Sequence, residues 1–228
     1  MTPPQRPSPV VFLFDVDNTL LDNDRVTADL KEYLEDEVGR EGAQSYWELF
    51  EQLRSELGYA DYLGALQRYR LAHPHEPHLL AVSRFLIDYP FQDRLFPGAL
   101  AVVARVKQWG PAAILSDGDV VFQPLKVERS GLAAQVDGNV LLYVHKEREL
   151  DDVRQRLPAE HYVVVDDKLR ILSAIKSSWG RQVTTVFVRQ GHYALDSAAI
   201  ASYPAADLSL DRVAGLLDHD LASLTASR

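Results

Sequence analysis

The chain has 228 residues, of which 46% are apolar, 25% charged and 9% aromatic, and a formal net charge of −9. This composition excludes collagenous, low-complexity and wholly disordered classes. The acidic balance without a basic block withholds the charge that nucleic acid or an anionic membrane would need. Without cysteine there is no disulfide, thiol nucleophile or thiolate metal site, as suits a reducing compartment.

Residues 1–9 contain four prolines and are expected to form an extended, frayed arm. The apolar run at 10–14 ends at Asp15, too short for a signal-peptide core or a spanning helix, so a cytoplasmic location is the expectation. Four further apolar runs follow at 112–115, 140–144, 162–165 and 183–188. Continuous runs of this length suit strands buried on both faces, as in a parallel sheet covered by helices. Helical patterns at 123–130, 148–157 and 169–179 separate the last four, each stopped by Gly or Pro. The alternation predicts a doubly wound parallel α/β core of five strands, Rossmann-like in kind.

The stretch between the first two strands holds only helical spacing: Val26, Leu30, Leu34 and Val38; Tyr46, Phe50, Leu53 and Leu57; Tyr62, Leu66 and Tyr69; Leu79, Val82 and Leu86. It is too long for a crossover. The expected organisation is a core of residues 1–20 and 95–228 with an all-helical cap at 21–94, and a crossover helix at 99–109.

Open parallel sheets bind ligands beyond the carboxyl ends of their strands. The first run is followed by Asp15-Val-Asp17-Asn-Thr19, the second by Ser116-Asp117-Gly118-Asp119, the third by His145-Lys146, and the fourth by Asp166-Asp167-Lys168. Gathered carboxylates repel one another, so their pKa values rise or a cation binds between them. Oxygen ligands without His or Cys favour a hard ion, Mg²⁺. Such an ion beside a lysine, a hydroxyl and backbone amides suits a phosphoryl group. One carboxylate can attack phosphorus, and another two residues away can protonate the leaving oxygen.

These four segments, Asp15-x-Asp17-x-Thr19, Ser116-Asp117-Gly118, Lys146 and Asp166-Asp167, resemble the four motifs of the haloacid dehalogenase-like (HAD) hydrolases. Leu95-Phe-Pro97-Gly98 is similar to that family's return from cap to core, and the helical block sits where its first type of cap is inserted. The resemblance implies Asp15 as nucleophile and Mg²⁺ ligand. It implies Asp17 as general acid/base with its carbonyl on the metal. Ser116 with the amides of Asp117 and Gly118 would grip the phosphoryl group, Lys146 would neutralise charge, and Asp166 and Asp167 would complete the metal site, with Asp167 the stronger ligand. Glu147 stands where relatives commonly have proline, and Ser116 where threonine is frequent.

The implied activity is hydrolysis of a small phosphorylated metabolite through an aspartyl-phosphate. The alternatives are a 2-haloacid dehalogenase, which typically lacks the second Asp of the first motif, a phosphomutase, or a non-catalytic regulator on the same fold. His73, His75 and His78 are expected in an irregular loop rather than at a metal, and the acidic run 35–37 on a solvated helix face. Arg68, Arg70 and Arg84 are the block's candidates for a second anionic group. The substrate's identity and the oligomeric state are not legible.

Overall fold

Side chains along a strand alternate between its faces, so an apolar run with no polar member has to be covered on both. In the computed structural model, which describes residues 7–226, β1 (Ser8–Phe14) meets that requirement. Val10, Phe12 and Phe14 enter one hydrophobic cluster, while Val11 and Leu13 enter a second on the opposite face.

An inserted helical block comes next: α1 (Asn23–Leu57), α2 (Tyr62–Ala72) and α3 (Leu79–Asp88). The core resumes with α4 (Ala99–Val106), β2 (Ala112–Asp117), α5 (Phe122–Arg129), α6 (Leu132–Gln135) and β3 (Val140–Tyr143). Then come α7 (Leu150–Arg156), β4 (Ala159–Asp166), α8 (Leu169–Trp179) and β5 (Val183–Val188). Finally α9 (Gly191–Leu195) and α10 (Ser197–Ala201) precede β6 (Leu208–Leu210) and α11 (Leu221–Thr225).

The sheet is parallel throughout, in the order β3-β2-β1-β4-β5-β6. It therefore has six strands, not the five expected. β6 escaped the sequence pattern because it has three residues, Leu-Ser-Leu, and none of them is fully buried. It extends the edge by pairing with β5 at Val186↔Leu208. The proline-rich arm was also overdrawn, since Ser8 and Pro9 belong to β1; Pro7 lies outside any element, and residues 1–6 lie outside the described residues.

Two of the helical patterns join in α1, which is broken by a non-helical Gly39 at φ 74°, ψ 170°. A left-handed glycine inside a helix costs little where a side chain would be strained. Asp22 caps the start of α1 by accepting from the Arg25 amide, and left-handed Gly58 closes its end. The block's apolar side, from Val26 to Leu86, packs into the same cluster as Phe12 and Phe14. The chain enters and leaves the block along two adjacent segments. The Asp22 amide donates to the Arg94 carbonyl, and the Phe96 amide to the Leu20 carbonyl.

β1 lies at the centre of the sheet, and the chain moves outward from it in both directions, to β2 and β3 on one side and to β4, β5 and β6 on the other. That reversal opens a crevice beyond the strands' carboxyl ends.

Candidate active site

The registers Phe14↔Ile114 and Phe14↔Val165 align β1 with both neighbours, so the next residues outward converge. The Asp15 amide donates to the Val165 carbonyl at 3.0 Å. Its carboxylate accepts from the Lys146 ammonium at 2.6 Å, the Ser116 hydroxyl at 3.3 Å and the Thr19 hydroxyl at 3.3 Å. Lys146 also pairs with Asp166 at 2.7 Å and donates to the Leu115 carbonyl at 3.2 Å. Carboxylate oxygens of Asp15, Asp166 and Asp167 lie within 4.8 Å of one another, and all three residues are buried. Four strand ends thus meet around one small volume.

The charges in this volume are unevenly compensated. Burial pushes the Asp15 carboxyl up, but the ammonium groups of Lys146 and Lys168 and the hydrogen bonds it accepts outweigh burial and hold it below the usual range. Burial opposes the Lys146 ammonium in turn, yet Asp15, Asp166 and Asp117 raise it. Asp166 is raised by burial and by Asp15, against the pull of Lys146. Asp167 is raised well above the usual range: burial dominates, Lys168 opposes it, and Asp166 and Asp15 add repulsion. Both Asp167 carboxylate oxygens are buried with no hydrogen-bond partner. Buried polar atoms are nearly always partnered, so two orphans on one carboxylate mark a place for a cation. The donor set, three carboxylates and no nitrogen or sulfur, fits a hard ion such as Mg²⁺.

The Ser116-Asp117-Gly118 turn follows β2. A Cβ on Gly118 would sit 2.7 Å from the Gln123 Cβ, so only glycine allows α5 to start this close to the strand end. Asp119 fixes that start by accepting from the Val121 and Phe122 amides at 2.8 and 2.7 Å. The Asp117 carboxylate accepts from the Lys146 amide at 2.6 Å and so ties the second motif to the third.

Burial, opposed by Lys146 and aided by Asp15 and Glu147, raises the Asp117 carboxyl from 3.8 to about 6. An acid whose pKa is higher in the folded state is penalised when ionised. Asp117→Asn is therefore expected to be more stable than the parent at pH 8, by up to about 3 kcal/mol. The advantage should start to shrink as pH falls below about 6, and vanish below the unfolded value near 3.8. Chemical denaturation in a metal chelator from pH 4 to 8 measures it; a pH-independent difference would refute the assignment.

Asp17 stands apart from this buried set. Its side chain is 26% exposed and faces a cleft of about 1290 Å³ between the helical block and the strand ends. The cleft is also lined by Gly118, Lys168, Trp47, Tyr59 and Tyr193. Asp17 accepts from the Lys126 ammonium at 2.6 Å, and Gln123 lies at 3.4 Å from its other oxygen. Asn18 takes a left-handed φ of 59°, and its side-chain oxygen accepts from the Asn23 and Asp24 amides, holding this loop to the start of α1. Gly191 packs so close to Asn18 that any Cβ there would collide with it.

Lys126 and Gln123 were not among the residues singled out by sequence, and Lys168, at the fourth strand end, was given no role there. A signal existed on α5: Phe122, Gln123, Lys126 and Val127 form its buried face, so an amide and a lysine occupy positions where apolar residues belong. Other expectations fare differently. None of Arg68, Arg70 and Arg84 lines the cleft, and Arg68 pairs instead with Glu56 at 2.6 Å. The block's cleft-lining cations are Lys31, Arg40 and Arg54. His73 bonds Ser45 at 2.9 Å and His78 bonds Glu76 at 3.0 Å. Neither belongs to the metal-capable group found among the described residues.

A family model described as haloacid dehalogenase-like hydrolase matches residues 10–178, which contain all four strand-end segments. The chain belongs to the haloacid dehalogenase-like hydrolases. A solved haloacid dehalogenase-like hydrolase from Burkholderia xenovorans is 58% identical to this hydrolase. The match covers 94% of this chain and 100% of that one, with a TM-score of 0.90. Two more distant structures share the fold. The HAD hydrolase YfnB of Bacillus subtilis, solved bound to magnesium, is 16% identical over 94% of this hydrolase and 98% of its own chain, with a TM-score of 0.59. An L-2-haloacid dehalogenase of Xanthobacter autotrophicus, solved with chloropropionic acid covalently bound, is 19% identical over 92% and 96%, with a TM-score of 0.60. No match was found among curated proteins. No helix among the described residues is long and apolar enough to cross a membrane.

Proposed function

We propose that this hydrolase is a Mg²⁺-dependent phosphomonoesterase that cleaves a small phosphorylated metabolite through an aspartyl-phosphate on Asp15, in the cytoplasm. The observation that carries the reading is the pairing of two unlike carboxylates. Asp15 is buried and charge-compensated by Lys146, beside the two orphaned oxygens of Asp167, whereas Asp17 is partly exposed in the cleft. The first arrangement suits a nucleophile next to a cation, and the second suits a group that exchanges protons with a leaving group and water. YfnB, which shares the fold, is a structure solved bound to magnesium.

Asp15, the Asp17 carbonyl, Asp166 and Asp167 would hold the ion. Bound there, Mg²⁺ would supply positive charge to the phosphoryl oxygens and to the gathered carboxylates. The Asp15 carboxylate forms the new bond to phosphorus as the ester P–O bond breaks. Asp17 delivers its proton to the departing oxygen, then takes one from the water that hydrolyses the acyl phosphate. Ser116, Lys146 and the amides of the turn at 117–118 share the charge of the transferring group. The residues 21–94 act as a cap that shields these steps from bulk water.

Release of chloride from a 2-haloacid requires no proton delivery, so dehalogenation leaves the acid half of the Asp17 role without a task. The test is inorganic phosphate release from a panel of phosphorylated metabolites and 4-nitrophenyl phosphate, with Mg²⁺ and with chelator. Turnover that depends on Mg²⁺ is expected. No turnover of any ester, or chloride release from a 2-haloacid in chelator, would overturn the reading.

A further inference from the structure

A lysine ammonium that is almost fully buried needs a reason to be there, because taking it out of water is costly unless its charge and its donors are met. The Lys126 side chain is 1% exposed. Its ammonium donates to Asp17 at 2.6 Å and to the Asn23 side-chain oxygen at 2.8 Å, and it lies 5.3 Å from the centre of the Phe122 ring. Gln123, one turn earlier on α5, donates to Ser116 at 3.0 Å and reaches the second Asp17 oxygen at 3.4 Å.

The Asp17 carboxylate is therefore held at both oxygens by the buried face of α5. The second anchor of Lys126, Asn23, is the first residue of α1 and so belongs to the inserted block. One ammonium thus ties the loop after β1 to the helix after β2 and to the block.

We propose that Lys126, anchored by Asn23 and assisted by Gln123, is a positioning residue that fixes the Asp17 carboxylate at the cleft in the orientation from which it serves the leaving-group oxygen. The inference rests on the reading of Asp17 as the proton-transfer group. Lys126 acts through Asp17 and takes no part in bonding to the phosphoryl group. Two of the site's lysines have separate duties. Lys146 compensates the nucleophile, and Lys126 holds its partner two residues along the chain.

A positioning role has a signature that loss of general structure lacks. An alkoxide leaves poorly without a proton, while a nitrophenolate leaves readily without one. Misplacing Asp17 should therefore harm alkyl phosphates far more than 4-nitrophenyl phosphate. Lys126→Met keeps the length of the stem and removes the ammonium.

The variant is expected to lose about 100-fold in kcat on an alkyl phosphate, within the range that positioned proton transfer contributes. On 4-nitrophenyl phosphate it should lose only a few-fold, with KM on both little changed. Asn23→Ala, which leaves Lys126 in place but removes its second anchor, should show the same bias at smaller amplitude.

Asp17→Asn run beside them separates the two claims. If Asp17→Asn shows the strong alkyl bias and Lys126→Met does not, the positioning role is overturned while the function stands. If Asp17→Asn itself shows no bias, the acid/base assignment falls. Equal losses on both substrates in a folded Lys126→Met also overturn the proposal. Should Lys126→Met fail to fold, the bias of Asn23→Ala decides alone: present, it supports the role, and absent, it refutes it.

Discussion

Asp15→Asn is expected to abolish turnover, with a loss of about 10⁴-fold or more, as removal of a covalent nucleophile does elsewhere. The amide keeps nearly the same shape, so the protein should fold and its circular dichroism should match the parent. It cannot form an acyl phosphate, and it leaves Lys146 paired with Asp166 alone at 2.7 Å. The measurement is phosphate release from 4-nitrophenyl phosphate with Mg²⁺. Rapid quenching of the parent enzyme should trap phosphate on the protein, and the variant should trap none. Retained turnover in the variant would remove Asp15 from the chemistry.

Asp167→Asn should produce two effects of opposite sign. Both oxygens of this carboxylate are buried and unpartnered, so in a chelator the ionised side chain is a burden on the fold. Neutralising it should raise stability by about 1 kcal/mol or more, or roughly 2–4 °C of melting temperature per kcal/mol for a chain of this size. Burial and the repulsion of Asp166 and Asp15 raise this carboxyl, so the gain should be largest at alkaline pH and fade on acidification. With Mg²⁺ the order should reverse. The parent should be stabilised by the ion through mass action, while the variant should show a small shift and lose activity. Thermal melting of both proteins across a Mg²⁺ titration measures this. Equal Mg²⁺ shifts would mean that Asp167 is not a ligand.

The elements that were legible in the sequence share a physical cause. The strands that carry the motifs contain continuous apolar runs closed by a polar residue, the pattern that a parallel sheet covered by helices favours. Asp15, Ser116, Lys146 and Asp166 could be placed at one rim because topology alone brings strand ends together. β6 was illegible because three residues on an edge, with Ser209 facing solvent, need no apolar run.

Lys126 and Gln123 were missed for the opposite reason. They lie on a helix face that packs inward, and only the tertiary structure reveals that Asp17 and Ser116 await them there. The arginines were misassigned because a helix pattern shows which residues share a side, not which neighbour that side meets. Arg68 faces Glu56, while Arg40 and Arg54, on α1, reach the cleft.

The central position of β1 has a consequence for how the protein is made. Its hydrogen-bonding neighbours begin at Ala112 and Ala159, so they emerge about a hundred residues or more after it. At ribosomal speeds of about 5–20 residues per second, this apolar strand of the nascent chain waits several seconds or longer with both edges bare. The helices of the inserted block are synthesised during that interval, and their apolar side shares a cluster with Phe12 and Phe14. They are placed to shelter one face of the strand before its partners arrive.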